Sequence, residues 1–154
     1  MADRISKETR SRNMRAIKSV SKLENNVAKE LWKRGVRFRR NVKDLKGKPD
    51  ISNKKYKYVI FIDSCFWHVC PIHGNMPNTN QEYWVKKLSR NQERDKEVNQ
   101  YYIENDWALL RVWEHEFKEN FDKAIGDIIS FINKKKTTAY PFNVKISLQI
   151  NRKE

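Results

Sequence analysis

The apolar positions change period several times along the chain, and each change marks an element. Leu23, Val27, Ala28 and Leu31 recur at three- and four-residue steps, which stacks them on one face of a helix. Ser21 supplies a capping hydroxyl, Glu24 stands in the capping-box position and Gly35 ends the run. A short strand is predicted over 36–40, followed by a turn through Gly47-Lys48-Pro49. Asp50-Ile51 opens a second strand, Asn53-Lys54-Lys55 turns it, and Tyr58–Asp63 is apolar enough to be buried, so the pair predicts a hairpin. Residues 64–80 lose periodicity and predict an irregular loop. Helical spacing returns over 81–105, with Trp84, Leu88, Val98 and Tyr102 on one face. A strand over 107–112 and a helix over 117–132 follow. Val144, Ile146, Leu148 and Ile150 alternate with polar residues, the pattern of an added edge strand.

The order α-β-β-β-α-β-α predicts an α/β fold, with one central mixed sheet flanked by helices. A chain of 154 residues fits one domain with a genuine core, and neither a repeat nor a flexible linker divides it. The expected organisation is a basic arm over 1–20, a folded domain over 21–133 and a basic extension over 134–154. Lys134-Lys135-Lys136 is read as a solvated linker in preference to a phosphate contact. No apolar run approaches the roughly 18 residues of a membrane span. Met1-Ala2-Asp3-Arg4 lacks the apolar core of a signal peptide, and two cysteines five residues apart make no secreted disulfide framework. The expectation is a cytoplasmic, bacterial-type monomer without a membrane partner.

Charge narrows the choice of partner. The net charge is +14, and residues 1–50 carry sixteen Lys/Arg against six Asp/Glu. Such a balance implies a polyanion, because cationic contacts to phosphates release counterions. In the arm, Arg10, Arg12, Arg15 and Lys18 flank Met14 and Ile17. Arginines there can hold phosphates while Met14 enters a groove as an apolar probe.

Chemistry concentrates in the irregular loop and at the strand ends. Cys65, Cys70 and His73 lie within nine residues, and His115 follows a later strand. Two thiolates and two imidazoles suit a tetrahedral Zn²⁺ that clamps a loop with little apolar content. His68 competes for the fourth place but, next to Trp67, is reserved for reaction chemistry. Asp50 and Asp63 sit at neighbouring strand ends, resembling the split-acid core of many nucleases, where oxygen ligands hold Mg²⁺. The Lys usual two residues after the second acid is absent, with Ser64 and Cys65 standing there, so His68 is the nearest candidate base. Glu24 has two readings, a helix cap or a group aimed at metal-bound water. Asn91 and Asp95 interrupt the apolar stripe of the long helix, which is costly unless they pair with Arg90 or Arg94 or face the site. The second reading is preferred. Phe66 and Trp67, joined by Trp84, are either core rings or a wedge that unstacks base pairs.

Taken in order, Thr9-Arg10-Ser11-Arg12-Asn13-Met14-Arg15-Ala16-Ile17, Gly47-Lys48-Pro49-Asp50, Cys65-Phe66-Trp67-His68, Asn91-Gln92-Glu93-Arg94-Asp95 and Val112-Trp113-Glu114-His115 resemble the very-short-patch repair endonucleases. The resemblance spans about residues 6–118. It implies a restriction-endonuclease-like fold over 21–133 and nicking of one DNA strand beside a T·G mismatch left by deaminated 5-methylcytosine. It implies Mg²⁺ on Asp50 and the Ile62 backbone carbonyl, with His68 as base supported by Asp95 and Glu24. Phe66, Trp67 and Trp84 become the wedge, Met14, Arg12, Arg15 and Asn91 further DNA contacts, and Cys65, Cys70, His73 and His115 the structural zinc ligands. Mismatch-repair proteins become candidate partners. Asp63 stands where some relatives carry histidine, which leaves it metal ligation or proton transfer, and the zinc set has fewer cysteines than in some members. A restriction-type endonuclease of the same fold and a non-catalytic zinc DNA-binding module are the competing readings.

Overall fold

The computed structural model describes residues 6–16 and 21–137. Its elements are α1 (Lys7–Ala16), α2 (Lys22–Lys33), β1 (Arg39–Arg40), β2 (Ile51–Asn53), β3 (Tyr58–Asp63), α3 (Gln81–Glu104), β4 (Ala108–Trp113), α4 (Glu114–Glu119) and α5 (Phe121–Thr137). The strands form one mixed sheet in the order β1-β2-β3-β4. β1 and β2, and β2 and β3, are antiparallel; β3 and β4 are parallel, with Asp63 opposite Trp113. α3 is the crossover that parallel neighbours require.

Alternation along the central strands divides the core into two. Tyr58, Ile60, Ala108, Leu110 and Val112 pack with Val27 and Leu31 of α2 and Ile125, Ile128 and Ile132 of α5. Val59, Phe61 and Leu109 point the other way, onto Val98 and Tyr102 of α3. Both faces of β3 and β4 are therefore covered, which is why these strands are almost continuously apolar. Among the described residues, no helix is long and apolar enough to cross a membrane.

Several boundaries differ from those expected. The arm contains a helix, α1, inside its predicted 1–20 span. The strand predicted over 36–40 shrinks to Arg39–Arg40. Val36 donates its N–H to Leu31 O at 3.0 Å and Gly35, at φ +87°, donates to Trp32 O at 3.0 Å. This paired closure spends those groups on the end of α2, leaving none for the sheet. The helix expected over 117–132 is broken at Asn120, which is extended (φ −155°) and accepts the Lys123 N–H on Oδ1 at 3.1 Å. α5 then runs through Lys134-Lys135-Lys136, so that segment is helix and not a linker, with Lys135 buried. The strand expected over 144–150 lies outside the described residues.

Two glycines test the packing. Gly47 sits at φ +77°, and an added Cβ would lie 2.8 and 2.9 Å from the Val98 methyls. Gly126 lies in α5 with nothing within 4 Å of an added Cβ. Gly47→Ala should therefore cost roughly 1–3 kcal/mol of unfolding free energy. Gly126→Ala should add about 0.5–1 kcal/mol. Urea denaturation reads both.

Candidate active site and metal cluster

Asp50 precedes β2 directly, behind the buried Pro49. The β2–β3 register ends at Ile51 opposite Ile60, so the N–H of Ile62 has no strand partner on that side. The Asp50 side chain takes its place, accepting that N–H on Oδ2 at 2.7 Å. In extended backbone the carbonyl of a residue leaves on the same edge as its N–H, which brings the Ile62 carbonyl to the side of Asp50. Burial pushes the Asp50 carboxyl up to about 7; the Ile62 bond opposes this, while the charges of Glu24 and Asp63 reinforce it. Glu24 has a backbone N–H that donates to the Ser21 hydroxyl at 3.1 Å, so its cap uses the main chain. Its carboxylate is free of that duty. Oε2 is buried with no hydrogen-bond partner among the described residues. Two acidic groups in a shielded place, one raised well above the ordinary carboxylate range and one with a buried oxygen that lacks a hydrogen-bond partner among the described residues, form a set of hard oxygen donors that fits a divalent cation.

Asp63 ends β3 on the α3 face and is only 3% exposed. It meets Arg111, a 5%-exposed arginine in the middle of β4, whose Nη1 donates to both carboxylate oxygens at 2.9 and 3.0 Å. Arg111 also donates from Nε to Asn99 Oδ1 at 2.7 Å, and its Nη2 lies 3.6 Å from Asp95 Oδ1. Asp95 Oδ2 in turn lies 2.6 Å from His68 Nδ1, with Asp63 Oδ1 at 3.9 Å from the same nitrogen. Burial alone would lower the His68 pKa, but the bond to Asp95 and the charges of Asp63 and Asp95 outweigh it, so it stands above the ordinary value; Arg111 pulls the other way. The interruptions of the α3 stripe thus face inward, away from Arg90 and Arg94. Asp95 faces His68 and Arg111, and the Asn91 amide donates to the Trp67 carbonyl at 3.1 Å. Arg111 itself escaped the sequence reading. Its signal was a cation inside the otherwise apolar run Ala108–Trp113.

Cys65, Cys70, His73 and His115 converge, with one ligand atom from each lying within 4.8 Å of the others. Cys65 Sγ and Cys70 Sγ are 3.2 and 3.5 Å from His115 Nδ1, and Cys70 Sγ is 3.9 Å from His73 Nδ1. A tetrahedron with bonds of 2.0–2.3 Å has edges of about 3.3–3.8 Å, so the cluster has the dimensions of a metal site. His115 comes from the first turn of α4, and the loop donors are braced by Cys70 N–H to Cys65 O at 2.9 Å and Gly74 N–H to Cys70 O at 2.8 Å. Between His68 and Cys70, Val69 is left-handed (φ +53°), a strained conformation for a β-branched residue.

Phe66, Trp67 and Trp84 form one partly exposed cluster, with centroids 5.0–5.8 Å apart. Half-exposed Tyr83, absent from the sequence reading, extends it at 5.3 Å from Trp84. Arg12, Met14 and Arg15 are exposed on α1.

A family model described as DNA mismatch endonuclease Vsr matches residues 2–72. The chain is 45% identical over 126 residues to the type II nicking enzyme V.NaeI of Lentzea aerocolonigenes, covering 78% of this chain and 76% of that protein. It is 38% identical over 125 residues to the type II nicking enzyme V.HpaIIP of Haemophilus parainfluenzae, covering 79% and 89%. It is 39% identical over 117 residues to the DNA mismatch endonuclease Vsr of Escherichia coli (strain K12), covering 74% of each. With likeness at this level over about three quarters of its length, the chain belongs to the Vsr family of DNA endonucleases.

Proposed function

We propose that the chain is a Mg²⁺-dependent nickase that cuts one strand of duplex DNA beside a T·G mismatch, in very-short-patch repair of deaminated 5-methylcytosine. The observation that carries the reading is the proximity of the shielded Asp50 and Glu24 carboxyls to an oriented histidine, in a chain with nicking-enzyme relatives. The mixed sheet with helices on both faces is compatible with a restriction-endonuclease-like core. The mismatch preference draws on the printed name of the Escherichia coli relative and on the aromatic cluster. A non-catalytic module has no support among such relatives.

Asp50 and the Ile62 carbonyl would hold Mg²⁺, with Glu24 beside them. When bound, the ion neutralises charge on the scissile phosphate and makes water more acidic. His68, with Nδ1 turned to Asp95, offers Nε2 to take the proton as water attacks phosphorus. A new P–O bond forms, the bond to the leaving strand oxygen breaks, and that oxygen takes a proton from solvent. Phe66, Trp67 and Trp84 enter the base stack, while Arg12, Met14 and Arg15 of the arm follow a groove. Asn91 supports the wedge through the Trp67 carbonyl as well as facing DNA. The Cys65, Cys70, His73 and His115 cluster holds Zn²⁺, whose borderline character suits two thiolates and two imidazoles.

Matched and T·G-mismatched duplexes, offered with and without Mg²⁺, test the activity. Nicking of the T·G duplex with Mg²⁺ is expected, and equal double-strand cutting of matched DNA would overturn the reading. Asp50→Asn should abolish nicking while stabilising the protein in magnesium-free buffer. The sign follows from the raised pKa: between about 3.8 and 7 the folded state holds the extra proton, so stability falls as pH rises through that window. Denaturation at pH 8 should thus find Asp50→Asn more stable than the wild type by roughly 1–3 kcal/mol, with the gap closing toward pH 4. Elemental analysis should find one zinc per chain, and Cys70→Ser should lose both the zinc and the nicking, with excess Mg²⁺ restoring neither.

A further inference from the structure

We propose that Arg111 is a positioning residue for His68, acting through Asp63 and Asp95 to hold the imidazole with Nδ1 toward the protein and Nε2 left for the reacting water. The inference rests on the reading of His68 as the group that takes the water's proton.

The geometry is that of a relay of fixed parts. Arg111 lies on β4, central to the fold, with its guanidinium carbon 4.4 Å from the centre of the Phe61 ring. Its planar fork reaches three side chains at once: Asn99 by Nε, Asp63 by Nη1 and Asp95 by Nη2. Asn99 and Asp95 are on α3, and Asp63 is on β3, so one side chain ties three elements together. The two carboxylates it holds are the two that face His68 Nδ1, at 2.6 and 3.9 Å. A carboxylate at hydrogen-bond distance requires a proton on Nδ1, and in a neutral ring that leaves Nε2 as the acceptor.

Arg111 also settles what Asp63 does. Both Asp63 oxygens accept from Nη1, so its charge is neutralised by the protein itself. Among the described residues neither Asp50 nor Glu24 is bonded to an arginine or lysine; Asp50 has only the charge of His68 to oppose its burial, and Glu24 Oε2 has no hydrogen-bond partner. The four carboxylates therefore divide by function: Asp50 and Glu24 face the divalent ion, and Asp63 and Asp95 face Arg111 and the imidazole. Lysine could not reproduce this arrangement, because an ammonium is a point charge without the fork that spans three partners.

Arg111→Lys keeps a cation for Asp63 and isolates the positioning role. Steady-state nicking of the T·G duplex should show kcat lowered about 10–100-fold, with KM and the half-saturating Mg²⁺ concentration as in the wild type. Nitrogen-15 shifts should show His68 passing from one tautomer to a mixture of two. The double variant Asp63→Leu with Arg111→Met removes the buried ion pair as a unit, which preserves folding far better than removing one partner. It should retain a cooperative thermal transition and share the loss of kcat. A wild-type kcat in either variant would overturn the proposal, as would an unchanged tautomer or a raised Mg²⁺ requirement, which would return Asp63 to metal ligation. Failure of the underlying reading is separable: it would appear as wild-type nicking by His68→Ala, whatever Arg111 does.

Discussion

The parallel pairing of β3 with β4 is the constraint from which the site follows. With Asp63 opposite Trp113, both strands leave the sheet on one edge. Two residues further along each strand stand Cys65 and His115, which therefore meet although 50 residues separate them. In an antiparallel pair the same two positions would emerge at opposite ends of the sheet. Ligand sites of open α/β sheets lie at carboxyl ends of strands for this reason. The crossover imposed by parallel pairing is α3, and its inward face then supplies Trp84, Asn91 and Asp95 to the loop that leaves β3. A loop poor in apolar residues is in this way held at three places: the Cys/His cluster, the Trp67 carbonyl and the His68 ring. That many restraints can hold Val69 in a left-handed conformation that it would not adopt alone.

Burial makes charge expensive, and the protein meets the cost differently on the two sides of the site. Around His68, Arg111 answers Asp63 with two hydrogen bonds and Asp95 with its charge at 3.6 Å. Around Asp50 no arginine or lysine is paired among the described residues, the charge of His68 offsets burial only in part, and the group stands at about 7. The second arrangement costs stability, and on the proposed reading a divalent cation would relieve it. Such groups are characteristic of functional sites, since a sequence selected only for stability would neutralise them.

Much of this was legible in the sequence because it depends on local spacing. α2, β3 and α3 announce themselves by period and capping, and the four zinc-type donors by residue type. Asn91 and Asp95 were conspicuous because polar groups in an apolar stripe require partners. What remained hidden depends on contacts remote in sequence. Arg111 in Ala-Leu-Leu-Arg-Val-Trp looks like an outward polar position of a strand until its partner, 48 residues away, is placed beside it. Asp63 was accordingly left between metal ligation and proton transfer. The late start of β1 was set by backbone bonds closing α2, and the break at Asn120 by a side chain that caps the following helix. Neither changes the hydrophobic pattern, so period alone could not reveal them.

The proposed wedge and the proposed base occupy neighbouring residues, and this adjacency links recognition to chemistry. Phe66 and Trp67 lie between Cys65, fixed by the cluster, and His68, fixed by Asp95. A segment pinned at both ends cannot move its rings without straining one of the pins. On the proposed reading, rings that enter the base stack fully leave the imidazole where Arg111 and the carboxylates hold it. Rings refused by well-stacked, matched DNA push back on the same four residues, or hold the phosphate away from Nε2. Displacements of about 1 Å at a reacting centre cost on the order of a hundredfold in rate. Discrimination would then arise at the chemical step as well as in binding, through a covalent connection only one residue long.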